Sequence, residues 1–100
     1  MTTTKSMTFT PSIEARELYL FTVNHSELYT RMISPLISSL RRKYVKGSYI
    51  PEKAIQAYYK VATEAGEAYA REFGGKFTVT ERWTAAVDME TFFIDEIQNS

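Results

Sequence analysis

One hundred residues, with 44% hydrophobic and 14% aromatic content, are enough for one domain around one core and too apolar for a disordered segment. There is no cysteine and a single histidine, which excludes disulfides, thiolate metal sites and a multi-histidine metal centre within one chain. Net charge is zero but unevenly spread. Residues 1–50 carry seven basic against three acidic side chains, and residues 51–100 carry five against nine.

The opening MTTTKSMTFTP has one lysine and no apolar block, so no secretory signal is expected there. No apolar run reaches the length of a membrane span. A cytoplasmic protein without a membrane role is the default expectation. Residues 1–11 read as a flexible N-terminal tail, and residues 12–100 as a single helical domain. Met7–Thr10 and Lys76–Val79 alternate like very short strands, but four residues each suit a tail and a linker better than a sheet.

The periodicity predicts an all-α bundle of four helices, at about 12–23, 26–46, 52–73 and 79–97. The first opens near Thr10-Pro11-Ser12 and takes its apolar stripe from Ile13, Leu20 and Val23, with Leu18 and Phe21 flanking. Asn24-His25-Ser26-Glu27 then interrupts the pattern. Asn24 is the expected cap of the second helix, with Glu27 reaching back to it.

Tyr29, Ile33, Leu36, Leu40 and Tyr44 form the stripe of the second helix. Pro35 lies inside it, where a missing N–H and a ring clash with the preceding turn cost about 3 kcal/mol. The expectation is a kink, a break, or a fresh start with Ser34 as cap. Gly47 then supplies a left-handed residue after a basic last turn.

The central stretch, PEKAIQAYYKVATEAGEAYAREF from Pro51 to Phe73, organises the chain. Ile55, Tyr58, Ala62, Ala65, Tyr69 and Phe73 share one face. Ala62, Ala65 and Gly66 make that face low in the middle, so another helix is expected to come close there. Tyr58 and Tyr59 are adjacent, so one belongs in the core and the other nearer the surface. Gly74-Gly75 stops the helix. Thr78 and Glu81 form a capping box for the last helix, whose stripe is Ala86, Met89, Phe93 and Ile97, with Trp83 and Phe92 beside it.

The run Arg16-Glu17-Leu18, Leu28-Tyr29, Pro35, Leu40, Lys46-Gly47-Ser48-Tyr49, Lys53-Ala54, Ala65, Tyr69, Glu72-Phe73 and Arg82 to Ala86 resembles a family of short all-helical proteins of bacteriophages, plasmids and bacterial chromosomes. The resemblance spans about residues 12–97. Its most distinctive part is the Lys-Gly-x-Tyr turn feeding an Ala- and Tyr-rich helix that ends in Glu-Phe. It implies the helical fold and carries over no activity and no site residues. The chain departs from the pattern at Ile50, where a capping Asp is expected.

No residue set points to catalysis, a cofactor or a metal. His25 beside Ser26 has no third partner. Glu64 and Glu67 are helical neighbours with Lys60 and Arg71 at four-residue spacings, as on a solvated face. Gly74-Gly75 follows a helix, whereas phosphate loops precede one. Two binding readings stay open. The first is a non-enzymatic protein–protein interaction module, a phage or mobile-element accessory acting on a host protein, with Tyr49 and Tyr59 as contact residues. This reading also admits a second copy of the chain as a partner. The alternative is a nucleic-acid-associated protein using Arg41, Arg42, Lys43 and Lys46 at the end of the second helix.

Overall fold

A computed structural model describes residues 13–98, and among these the fold is all-α with no strand. Four helices follow one another: α1 (Ile13–Asn24), α2, α3 (Pro51–Phe73) and α4 (Val79–Gln98). Helix α2 is made of three consecutive helical runs, Ser26–Leu28, Tyr29–Ile33 and Ser34–Lys46. The assembly is flat, with extents of 39 × 38 × 21 Å, a thickness suited to two helix layers. The strand-like Met7–Thr10 lies outside the described residues, and residues 74–78 form an irregular linker.

Helices α3 and α4 make the most extensive contact and α1 packs on both. Their pairing is antiparallel: Tyr49, just before α3, meets Phe93, Tyr59 meets Trp83, and Gly66 meets Phe77. Fully buried Ala62 and Ala65 on α3, and Ala85 and Ala86 on α4, leave little bulk between backbones. Tyr58, Val61, Met89 and Phe93 fill the space around them. What covers Gly66 is two side chains, Phe77 of the linker and Arg82 of α4, rather than a helix backbone. An added Cβ would lie 3.7 Å from the Phe77 ring and 3.9 Å from Arg82 Cδ. Phe73, expected on the core face, is exposed, while Ala54 and Val61 lie inside.

Helix α1 buries Ala15, Leu18 and Thr22, not the predicted Leu20 and Val23 face. Apolar residues surround α1, so its orientation is chosen by how closely it can approach its neighbours, and the Ala15–Leu18–Thr22 side is the slimmer one. The buried Thr22 hydroxyl is satisfied by donating to Leu18 O at 2.6 Å. Leu20 is left 42% exposed.

The start of α2 is capped by His25, whose Nδ1 accepts from Leu28 N at 3.3 Å, not by Asn24. Asn24 is instead the last residue of α1. At Pro35 the helix neither breaks nor restarts. Ile33 and Ser34 both keep right-handed helical dihedrals, and Ser34 makes no side-chain cap. Residues Tyr29–Ile33 form a π-helical turn, in which Ser34 N–H reaches back to Tyr29 O. The wider turn makes room for the proline ring, and the bond Pro35 cannot donate is lost without ending the helix. Gly47 closes α2 at φ 79°, with Gly47 N donating to Tyr44 O and Ser48 N to Lys43 O, the paired bonds of a Schellman end.

Helix α4 begins as its sequence predicts. Thr78 N donates to Glu81 Oε1 at 2.8 Å, and Glu81 N donates to Thr78 Oγ1 at 3.1 Å.

Candidate functional site

The four basic residues at the end of α2 are all exposed, and none makes an ion pair among the described residues. Three acidic residues of the second half are engaged elsewhere. Glu64 lies 3.7 Å from Arg31, Glu90 accepts from Tyr49, and Asp88 lies within electrostatic reach of Arg16. At about 100° per residue, Arg42, Lys43 and Lys46 share a sector, and Arg41 points away from it.

The two tyrosines singled out by sequence stand in different settings. Tyr49 is half-buried between Tyr44 and Phe93, with ring centroids 5.7 Å away in each case, and its hydroxyl donates to Glu90 Oε2 at 2.8 Å. Burial, then the bond to the Glu90 carboxylate, push its phenol well above the ordinary tyrosine value. It closes the α2–α3 turn against α4.

Tyr59 is half-buried too, but on the flank of the α3–α4 pair. Its adjacent partner Tyr58 is the core residue, only 2% exposed. The Arg82 guanidinium lies 5.6 Å above the Tyr59 ring, and its Nη2 donates to the Tyr59 hydroxyl at 3.1 Å. Nη1 of the same guanidinium donates to Phe77 O at 2.7 Å, which ties the linker to α3. Trp83 packs on Tyr59 at 5.5 Å between centroids and remains 43% exposed. Val79, one turn earlier on the same face of α4, is 62% exposed. Sequence reasoning set Trp83 beside the core stripe and gave it no role. The signal for this second face was Trp83, at the edge of the Ala86–Met89–Phe93 stripe and one turn after Val79.

At the far end of α1, Phe21, Tyr69, Phe73 and Phe77 form a chain of edge-on and tilted rings, and the Tyr69 hydroxyl donates to Glu17. These contacts join α1, α3 and the linker, so they serve the fold. On the other flank of α4, a pocket is lined by residues of all four helices, Tyr29 and Phe92 among them.

Among the described residues no group of three or more His, Cys, Asp or Glu side chains could hold a metal ion, and no helix is long and apolar enough to cross a membrane. The surface built from Tyr59, Arg82, Trp83 and Val79 joins an exposed indole, a tyrosine and an arginine held in fixed geometry by one another. No family model matches the chain, and it has no significant match among curated proteins or solved structures.

Proposed function

We propose that this chain is a non-enzymatic protein-interaction module, an accessory protein of a phage or mobile element that acts on a host protein through the face of Tyr59, Arg82, Trp83 and Val79. The observation that carries this reading is Trp83, exposed yet braced by Tyr59, which Arg82 in turn fixes from above. Trp, Tyr and Arg dominate the energetic centres of protein interfaces because they cover large areas with few rotatable bonds to immobilise. Here the immobilisation precedes binding, which lowers the entropy a partner must overcome.

Affinity capture from a bacterial lysate, with and without nuclease, tests it. Capture of a defined protein should survive nuclease and fall at least tenfold with Trp83→Ala, while circular dichroism shows the fold intact. Retention of that partner by Trp83→Ala would sink the proposal.

The second reading is favoured by the exposed, unpaired basic end of α2. If that end binds duplex DNA, each phosphate neutralised adds about 0.9 to the magnitude of the salt slope. Arg42→Gln with Lys46→Gln should then flatten the slope and weaken binding at low salt. Zero net charge supplies no long-range attraction, so the protein-partner reading expects feeble duplex binding at physiological ionic strength.

A further inference from the structure

We infer that the groove between α2 and α3 docks one amphipathic helix of a partner protein, with acidic residues along both flanks of its apolar stripe. The Ser34–Lys46 run of α2 scarcely approaches the α3 backbone, whereas helices in full contact pack about 8–10 Å apart. Leu36 and Leu40 reach across to the core beside Ala54 and Val61 and help to floor the groove. It consists of two adjoining hollows of ≈ 420 and ≈ 320 Å³, which share Leu36, Lys53 and Ala57.

The walls carry charge of one sign. Arg31 and Lys43 stand on the α2 side and Lys53 and Lys60 on the α3 side, all exposed. No Asp or Glu lines either hollow. Arg31 does pair with Glu64 at 3.7 Å, but both partners are exposed, and a pair of that kind is weak enough for an incoming carboxylate to displace. The floor is apolar: Met32, Leu36 and Ala57 are half-buried and Val61 is buried. A methionine in such a floor adapts its shape to the side chain laid on it.

Spacing selects a helix as the occupant. Lys53 and Lys60 are two turns apart, so they share one side of α3 at a separation of about 10 Å. Met32 to Lys43 covers about 16 Å of α2, roughly three turns. A trough of that length between two helices takes a third by its apolar side, and acidic flanks then meet the basic walls. An extended segment finds no sheet edge to join among the described residues. Nucleic acid suits the groove less, because no aromatic ring lines it for stacking and its floor is hydrocarbon.

Two other occupants are set aside by chemistry or by test. Residues 1–12 of the chain itself carry Lys5 and no acidic side chain, so they do not match the walls. The acidic end of α4 in a second copy is the rival occupant, and measuring the state of association separates it. None of Tyr59, Val79, Arg82 and Trp83 lines the groove, so this site is distinct from the Trp83 face and does not rest on it.

The test uses the full chain and a fluorescein-labelled peptide of about 18 residues, long enough to hold a helix in water, with Leu on one stripe and Glu along both flanks. Its controls are the same peptide with Lys for every Glu, one of the same composition with the Leu scattered round the helix, and a short duplex DNA. Fluorescence anisotropy at low salt should show saturable binding of the acidic amphipathic peptide, about tenfold or more tighter than any control, and weakening as salt rises. Lys53→Glu with Lys60→Glu, both at exposed sites, should weaken it about tenfold or more and let the lysine peptide bind instead. Trp83→Ala should leave both results unchanged. Equal affinity for the scattered or the lysine peptide overturns the inference, as does tighter binding of DNA that the charge reversal abolishes. So does the absence of saturable binding up to millimolar peptide. A chain that self-associates in sedimentation and becomes monomeric on charge reversal overturns it in favour of a second copy.

Discussion

Tyr49 and Glu90, distant in sequence, meet through a 2.8 Å hydrogen bond in which the phenol donates to the carboxylate. The bond fastens the α2–α3 turn to the middle of α4. Hydrogen bonds to charged groups contribute roughly 1.5–3 kcal/mol, and partial exposure reduces that. Tyr49→Phe should therefore lower stability by about 1–2 kcal/mol in urea unfolding. A change below about 0.5 kcal/mol would mean that the turn is held by ring packing alone.

Burial, with the same bond, sets an alkaline limit. Tyr49 and Tyr58 both titrate above the ordinary value of 10.0 in the folded chain, chiefly through burial. The unfolded chain releases those protons first, so their contribution is complete below about pH 10 and is lost as pH rises further. Urea midpoints should fall steeply above pH 10, and less steeply in Tyr49→Phe.

Asp88 gives the acidic counterpart. Burial raises its pKa, Arg16 only partly opposes this, and one carboxylate oxygen is buried without a hydrogen-bond partner among the described residues. A carboxyl whose folded pKa is raised is best tolerated in its protonated form, so it costs stability at neutral pH and the cost disappears as pH falls. Asp88→Asn should stabilise the chain at pH 7 and make little difference at pH 3. A loss of stability at pH 7 would show that the attraction to Arg16 is the larger effect.

Ile50 occupies the N-cap of α3 with extended dihedrals, φ −122° and ψ 112°, and offers no acceptor to the helix. It is 45% exposed, so a polar cap there forfeits little packing. Ile50→Asp should add about 0.5–2 kcal/mol and raise Tm by several degrees. A lower Tm would mean that its remaining contacts outweigh the cap.

Gly66 lies in the interior of α3 with ordinary van der Waals space beside it. Gly66→Ala should stabilise by about 0.5–1 kcal/mol through helix propensity. Gly66→Leu adds three more carbons beside the Phe77 ring and the Arg82 side chain, and should fall below Gly66→Ala by about 1–3 kcal/mol in thermal or urea unfolding. Equal stability of the two variants would mean that the linker moves aside freely.

Signals confined to one turn of chain were legible without the fold. The Thr78–Glu81 capping box, the left-handed Gly47 and the extent of α3 all depend on residues within about five positions, so local chemistry was sufficient. The division of labour between Tyr58 and Tyr59 followed from the 100° that separates adjacent residues on a helix.

Where several answers were locally acceptable, packing decided. Helix α1 has apolar residues on every side, and only its neighbours could select Leu18 over Leu20 as the inward face. Pro35 signals a break by itself, yet buried Leu28 and Ile33 on one side and Leu40 on the other hold the helix together, and the strain is absorbed as a π turn. The Tyr59–Arg82–Trp83 face and the groove between α2 and α3 each join residues from separate helices. Sequence by itself determined the outer limits of the four helices and the contacts within one turn of chain; the tertiary structure alone decided which side chains of different helices meet, because that depends on contacts between residues far apart in the chain.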